Sequence, residues 1–549
     1  MDLQQLSLPL TICLLAVFFG GTFIISLQIG RKRENADSYM NAGSKVGFGI
    51  SAASMTATWI WAASLYAAAT SGYTFGVSGP LHYGLWGALM ILFIYPFGKR
   101  IRSLAPDAHS LAEILHARHG SSSQLILAGS NIIGSILSLV SNYIAGGVLI
   151  AMLTPLNFST GILVIAAGVL LYTLWSGLRA SILTDFIQVC AMLLAVVILV
   201  PTIFHLAGGP DIFREGQGNL NQQQLSFFSS DAFFNQGAPY IAAVLAYAIG
   251  NQTIAQRLFA VRPDKIKATF VTATVGYGAT VIGIGMLGVL ALYLGVKPID
   301  GDVNNLVPQL AASYLGAGLL SLFFILIIGA MASTADSDLS ALSSIVMTDI
   351  YGRNIARPGK ANPRLMLLLG RLTMVAATAL AVYIASNRLN ILELLVLVGA
   401  IWGALVFPVI ASFYWRKVSN AAFSVAVLGA LASFFAVRFE FIPLTGATAL
   451  LTDILSVIGV GVIAGLMMFG FWGARVGVLT GVIAAVVSAP FGIGFLHTYP
   501  VLTASLLAYA VSAVLCIGIS LLRPDNFDFG LLARATGRFD VAQPETGRP

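Results

Sequence analysis

Apolar runs of bilayer length recur along this chain from Leu8 to Leu522, separated by short polar links. A hydrocarbon core about 30 Å thick takes roughly 20 apolar residues in helical form. On that ruler about fifteen spans are expected, near 7–29, 46–78, 82–101, 123–153, 159–177, 181–206, 238–259 and 266–295, then 316–350, 364–386, 390–415, 419–437, 449–472, 475–490 and 499–522. Only 9% of the residues are charged and 58% are hydrophobic, where a soluble domain would carry about 25% charge. That balance excludes a disordered chain, a coiled coil and an ordinary cytosolic enzyme. The expected class is an all-α polytopic membrane protein. No link is long enough to hold a soluble catalytic domain, so enzymatic activity is not expected.

The net charge of +7 is an orientation signal rather than a sign of nucleic acid, and no nucleic-acid partner is expected. Cytoplasmic links carry an excess of Lys and Arg. With the N-terminus outside, the inner links hold Arg31, Lys32, Arg33 and Lys45, then Lys99, Arg100, Arg102 and Arg118, then Arg179. They also hold Arg257, Arg262, Lys265 and Lys267, then Arg353, Arg357, Lys360 and Arg364, then Arg416 and Lys417, Arg475, and Arg523, Arg534, Arg538 and Arg548. That is 24 of 29 basic residues, against four outside (Arg214, Lys297, Arg388, Arg438) and Arg371 within a span. An odd number of spans, N-terminus out and C-terminus in, is expected, in a plasma or bacterial inner membrane. The first apolar run follows Met1-Asp2 without a basic segment and is long enough to span, so it reads as a helix and not a cleaved signal. Cys13, Cys190 and Cys516 lie in apolar runs without metal or disulfide spacing and read as small buried hydrophobes. The stretch 207–237 is a polar, acidic outer loop, and the tail from Arg523 reads as partly disordered.

Polar groups are costly at depth in a membrane, so function is sought where they persist. Residues 46–78 would form a helix of about 50 Å, too long for one straight span, and are crowded with Ser, Thr, Ala and Gly around Trp59, Trp61 and Tyr66. Two readings are open. The stretch unwinds at mid-membrane and frees carbonyls as cation ligands, or its small residues serve close helix packing. In 329–350, Ser333, Asp336 and Ser337 fall at i, i+3 and i+4 and share one helical face, with Ala330 and Thr334 on an adjoining strip. Such hard oxygen donors suit a small alkali cation. The other reading is a polar helix end at the cytoplasmic interface, which fits Asp349 well. Asp185 sits inside an apolar run and needs a partner or a proton. Arg179 faces the interface in this reading, which leaves a cation shared with another helix, or an N-cap role for Asp185.

These segments resemble the sodium:solute symporter family. SGLRASILTDFIQ (176–188) is similar to its G-G-L-x-A-x-x-x-T-D-x-x-Q signature, STADSDLSALSSIVMTDIYGR (333–353) to its S-T-A-x-S-x-L helix, and NQTIAQR (251–257) to its [DN]-Q-x-x-x-Q-R motif. The resemblance runs from about residue 10 to 420. Within the family, Trp59-x-Trp61, GVSGP (76–80), APDAHSLAEILHARHG (105–120) and SSIVMTDIY (343–351) resemble the urea-active transporter branch.

The resemblance implies a LeuT-type fold of two inverted five-helix repeats. The expected organisation is an extra helix and inner loop (1–45), a first repeat (46–206), an extracellular loop (207–237), a second repeat (238–415), further helices (416–522) and a cytoplasmic tail (523–549). It also implies a first sodium site from the carbonyls of Ala53, Thr56 and Ala330 and the hydroxyls of Ser333 and Thr334. A second site, found in some members, maps to Asp185, Ser333, Asp336 and Ser337. Asp336 stands where a hydroxyl is common, which leaves sodium or a proton as the coupling ion. Tyr247 matches an inner-gate tyrosine of a sugar-transporting member.

Candidates for the solute pocket are the mid-membrane residues Trp59, Trp61, Ser64, His82, Tyr83, Asn142, Tyr247, Gln252 and Trp402. Flat aromatic walls with a few hydroxyls and carbonyls suit urea or a related amide. With no Arg or Lys read as buried in the core segments, a neutral solute is favoured. The expected function is cation-coupled symport of a small polar solute, urea first. The alternatives are symport of an amino acid or short carboxylate, or a symporter-like sensor. The expected partners are that solute, the coupling cation and lipid, with the chain a monomer or weak homo-oligomer. No organic cofactor is expected.

Overall fold

In the computed structural model the described residues are 3–30, 39–40, 42–174, 178–356 and 361–536. Arg31, Lys32, Arg33, Arg357, Lys360, Arg538 and Arg548, and Ser176 and Gly177 of the first motif, lie outside them, as does the side chain of Arg179. Among the described residues the secondary structure is helical, apart from one isolated backbone bridge between Val46 and Val261.

The first helices are α1 (Leu8–Gly30), α2 (Phe48–Trp59), α3 (Ala62–Phe75), α4 (Ser78–Leu92), α5 (Ile94–Leu104) and α6 (Leu111–His119). The next are α7 (Ser121–Leu153), α8 (Phe158–Thr173), α9 (Leu178–Leu206), α10 (Ala238–Gly250), α11 (Gln252–Ala260), α12 (Ile266–Tyr293) and α13 (Leu306–Tyr314). The last are α14 (Ala317–Ser344), α15 (Pro363–Ala385), α16 (Ile391–Tyr414), α17 (Asn420–Arg438), α18 (Gly446–Trp472), α19 (Ala474–Gly492) and α20 (Pro500–Leu522). Thirteen helical stretches among the described residues are long and apolar enough to cross a membrane. Helix α8 is apolar but shorter, and α2 and α3 are each too short alone.

Boundaries follow local chemistry. Ser110, Asn157, Asn251, Asn362 and Ser419 cap the helices they precede by accepting backbone N–H groups. The stretch 46–78 is broken at Ile60–Trp61, where the backbone turns extended (Trp61 φ −70°, ψ 143°). The chain is thus unwound here, and its small residues also pack closely: a Cβ at Gly72 would lie 2.5 Å from the Gly285 carbonyl.

A single helix was expected over 238–259, and the structure corrects this. Asn251 is extended (φ −93°, ψ 117°) and its Oδ1 accepts from the Thr253 N–H and hydroxyl, both at 2.7 Å, so a new helix starts there. The end of α14 runs on as a π-helical segment over Ile345–Ile355, beyond the expected limit of 350.

Helices α2, α3 and α4 pack on α12, α9 on α14, α10 on α16, and α7 on α14, placing both breaks inside the bundle. Helices α18 and α19 form an outlying hairpin. Its backbones approach so closely that a Cβ at Gly461 would lie 2.7 Å from the Gly481 carbonyl. The described part of the tail, 523–536, is packed on the bundle, and the rest of the stretch expected to be partly disordered lies outside the described residues. The Asp525 N–H donates to the Lys417 carbonyl at 3.0 Å, and Leu532 is fully buried. Cys13 and Cys190 are exposed on the outer faces of α1 and α9, so only Cys516 is a buried hydrophobe.

Candidate functional site

The two helix breaks flank a small aromatic cavity. Trp59 ends α2 and Trp61 precedes α3, with indole centroids 5.6 Å apart. Both rings meet Tyr247 of α10, at 5.8 and 6.2 Å. The cavity, about 40 Å³, is lined by Trp59, Trp61, Ser64, Tyr83, Tyr240, Tyr247, Tyr277 and Tyr509, with Gly87 and Gly399 among the smaller residues. One water needs about 10–15 Å³ on this measure, so the space suits a molecule of a few non-hydrogen atoms. No Asp, Glu, Lys or Arg lines it.

Its polar groups are hydroxyls and carbonyls. Ser64 Oγ lies 3.0 Å from Tyr83 OH and 2.8 Å from Tyr277 OH. Trp59 Nε1 donates to the Gly87 carbonyl at 3.2 Å and Tyr247 OH to the Leu395 carbonyl at 2.7 Å.

Five of the nine expected solute residues, Trp59, Trp61, Ser64, Tyr83 and Tyr247, line this cavity. The other four do not, and each has a structural reason. His82 accepts from Trp86 Nε1 at 3.1 Å and packs beside Phe233. Asn142 Nδ2 turns back to the Ser138 carbonyl of its own helix. Gln252 Nε2 donates to the His109 carbonyl at 3.3 Å, on the far side of the break. Trp402 lies beneath Tyr247, edge-on at 5.0 Å, with Nε1 donating to the Ser130 carbonyl. It is a prop for the wall. Sequence reasoning missed Tyr240, Tyr277 and Tyr509. Tyr240 precedes Tyr247 by two helical turns on one face, a signal that was available.

Beside the cavity, α14 turns its polar face toward α2, α9 and α11. Asp185 is fully buried within α9, which rules out the N-cap role. Its Oδ1 accepts from Ser333 Oγ at 2.6 Å. Its Oδ2 accepts from Ser54 Oγ at 2.6 Å and from Arg257 Nη2 at 3.1 Å. This corrects two expectations together. Arg257 is not a loop residue: it is 2% exposed on α11, and it is the cationic partner of Asp185. A buried Arg is therefore present in the core, although it does not line the cavity.

Asp336 accepts from Tyr172 OH at 2.9 Å and Ser181 Oγ at 2.8 Å, and from Ser337 Oγ at 3.2 Å. The expected second-site residues are thus linked, with Arg257 among them. Of the expected first-site residues, Thr334 Oγ1 donates to the Thr58 carbonyl at 3.0 Å, joining α14 to the end of α2 that carries Ala53 and Thr56. Ala330, Ser333 and Thr334 are buried at this contact, but the Ser333 hydroxyl is turned to Asp185. Among the described residues no group of three or more His, Cys, Asp or Glu side chains could hold a metal ion. The donors beside the cavity are hydroxyl, carbonyl and carboxylate oxygens.

Farther along α14 lies a second polar layer. Asp349, fully buried rather than interfacial as expected, accepts from Ser110 Oγ at 2.6 Å. Glu113 of α6 pairs with Arg353 and with His109. Burial works to raise its carboxyl, but His109 and Arg353 together hold it below the ordinary carboxylate range.

These features define a polytopic helical membrane protein with a broken-helix core around an uncharged aromatic cavity. Residues 39–430, well over half of the chain, match the model of the Sodium:solute symporter family, and the chain belongs to that family. It is similar to the urea-proton symporter DUR3 of Oryza sativa subsp. japonica, 24% identical over 72% of this chain and 61% of that protein. It is also similar to the urea active transporter of Saccharomyces cerevisiae, 23% identical over 61% of this chain and 50% of that one. The sodium/pantothenate symporter of Escherichia coli is 26% identical over 77% of this chain and 89% of that protein. The chain spans about half to three fifths of the length of these two urea transporters. A substrate-bound, outward-open Na+-coupled sialic acid symporter shares the fold, with a TM-score of 0.65 at 18% identity over 88% of this chain and 98% of that one.

Proposed function

We propose that the protein is a cation-coupled symporter importing a small neutral amide, urea first, by alternating access. The observation that carries this reading is the cavity between the two breaks, which offers aromatic faces and hydroxyls without any fixed charge. Urea has four non-hydrogen atoms, two flat faces and no charge, and it stacks on indole and phenol rings while its N–H and carbonyl groups take hydroxyl partners. A carboxylate solute, such as an amino acid, would need a cation in the wall. Arg257 is held by Asp185 and does not line the cavity.

In this reading 46–206 and 238–415 are inverted repeats whose first helices are the two broken ones. Breaks at corresponding places in the two halves, at Trp61 and Asn251, support it. We place the N-terminus outside and the C-terminus inside, with fifteen crossings of a plasma or bacterial inner membrane. The first coupling ion sits between α2 and α14, held by the carbonyls of Ala53, Thr56 and Ala330 and the hydroxyls of Ser333 and Thr334. The approach of Thr334 to the Thr58 carbonyl supports this placement. Sodium and protons are both open to this arrangement.

The test is uptake into proteoliposomes of a panel containing urea, proline and pantothenate, under separately imposed sodium and proton gradients. Accumulation of urea above equilibrium under one gradient is expected. Accumulation of none under either would overturn symport, and accumulation of proline alone would overturn the neutral-amide pocket.

A further inference from the structure

Two side chains that resemblance assigns to a second cation site, Asp185 and Ser337, already bond a cation in this structure, and a third, Ser333, bonds Asp185. The cation is the guanidinium of Arg257. Nη2 donates to Asp185 Oδ2 at 3.1 Å and to Ser337 Oγ at 2.6 Å. Nε donates to Ser54 Oγ and Nη1 to the Thr253 carbonyl, both at 3.3 Å. Asp185 takes its remaining bonds from Ser54, Ser333 and, at 3.5 Å, Thr58. The side chains of Asp185 and Arg257 are 0% and 2% exposed.

We propose that Arg257 is a built-in second cation, so that the protein binds no exogenous ion at Asp185 and couples transport to the first-site ion alone. The proposal rests on the symporter reading for its functional meaning, while its structural content stands on this cage. A guanidinium keeps its charge and spreads its donors in a fixed plane. Here it supplies one full charge to a carboxylate that would otherwise be bare. A sodium ion at the same oxygens would face that positive charge across a few ångströms of low-dielectric interior, and only one of the two can stay.

Among the described residues the ion pair of Asp185 is with Arg257. Arg102, another buried guanidinium, donates instead to the carbonyls of Pro106 and Val261. Asp336 makes no bond to the guanidinium: its oxygens accept from Tyr172, Ser181 and Ser337, so it meets the cage only through the Ser337 hydroxyl.

The placement of Arg257 makes it suited to this role. It sits on α11, the half-helix after the Asn251 break, while its partners Asp185 and Ser337 sit on the unbroken helices α9 and α14. The resident charge is therefore carried by the segment that the break sets apart.

The test counts sodium bound at saturation, using radiolabelled sodium and purified protein, without solute. Arg257→Met alone is expected to bind one more sodium per chain than the wild type. The charge-balanced pair Asp185→Asn with Arg257→Met is expected to bind the same number as the wild type. Arg257→Met without the extra ion would overturn the proposal. So would a double variant that binds one ion fewer than the wild type, since Asp185 would then hold sodium in the native protein. The double variant leaves no lone buried charge, so the comparison survives if Arg257→Met fails to fold. A wild type that binds no sodium at all overturns sodium at the first site, and the differences between variants still decide the role of Arg257.

Discussion

Ser64 Oγ lies 2.8 Å from the hydroxyl of Tyr277, joining the second half of the first broken helix to α12 across the cavity wall. The same Ser64 oxygen reaches Tyr83 OH at 3.0 Å. Removing it by Ser64→Ala leaves two phenols to find new partners. Loss of one such bond is worth about 1 kcal/mol. A solute held by this cluster should therefore lose about fivefold to tenfold in apparent affinity. Uptake kinetics of urea in proteoliposomes check this, with Tyr277→Phe expected to act in the same direction. An unchanged KM in both variants would place the solute away from the hydroxyl cluster.

Trp402 is wedged against the chain just before the second break. A Cβ at Gly250 would lie 2.5 Å from the Trp402 Cβ, and one at Gly134 would lie 2.2 Å from its ring. Gly250→Ala is expected to destabilise by about 1–3 kcal/mol through overpacking. Thermal unfolding in detergent reads the loss. Trimming the ring in Gly250→Ala with Trp402→Leu should recover little of it, because the Trp402 Cβ and Cγ that the new methyl meets are kept in leucine.

The Asp185–Arg257 pair also makes a stability prediction. Breaking a buried ion pair from one side typically costs about 3–5 kcal/mol, because the other charge is left unpaired. Asp185→Asn and Arg257→Met should each be strongly destabilising, and the double variant less so than their sum. A double-mutant cycle on thermal or denaturant unfolding measures the coupling, and additive losses would mean the two charges do not depend on each other.

For the first ion site, Ser333→Ala with Thr334→Ala is expected to abolish the sodium dependence of uptake. The Thr334 hydroxyl joins α14 to α2 through the Thr58 carbonyl, so Thr334→Ser, which keeps the hydroxyl, should retain more of it. Uptake measured against sodium concentration separates the two outcomes.

The pH prediction concerns α6, which lies outside the spans. Burial, and then the Arg118 charge, push the His119 imidazole down to about 3 from its ordinary 6.5. In the folded protein His119 stays neutral where the unfolded chain would take a proton. Its effect is absent above pH 6.5, and stability falls as the pH drops from 6.5 toward 3. The slope is up to about 1.4 kcal/mol per pH unit in this window. Unfolding of the wild type and of His119→Gln between neutral and mildly acidic pH should show the dependence shrinking in the variant.

How much of this could be read beforehand depended on how each residue announces itself. The break at Trp59–Trp61 was legible because the small-residue stretch around it is too long for one span. The break at Asn251 was hidden, since apolar residues run up to it without interruption and a lone Asn does not shorten a hydropathy window. Arg257 was misplaced for a related reason. An arginine near the end of an apolar run looks interfacial until its partner is known, and that partner is 72 residues away in sequence. The hydroxyls of the α14 face were found by helical spacing, but the directions of Ser333 and Asp336 depend on neighbours in α8 and α9. Tyr277 gave no warning: a tyrosine between glycines in an apolar helix looks the same whether it fills a gap or lines a cavity.

Arg118 is bonded almost entirely to residues made long after it. Its guanidinium donates to the carbonyls of Arg416 and Val418 and to Asp525, 407 positions later, and it stacks over Phe527 at 4.3 Å. A ribosome delivers these partners in order, so the Arg118 guanidinium has none of them until residues 416–527 have been made. A chain cut shortly before Asp525 would keep the apolar helices and the two carbonyls, and would lose the carboxylate and the ring that cover this guanidinium.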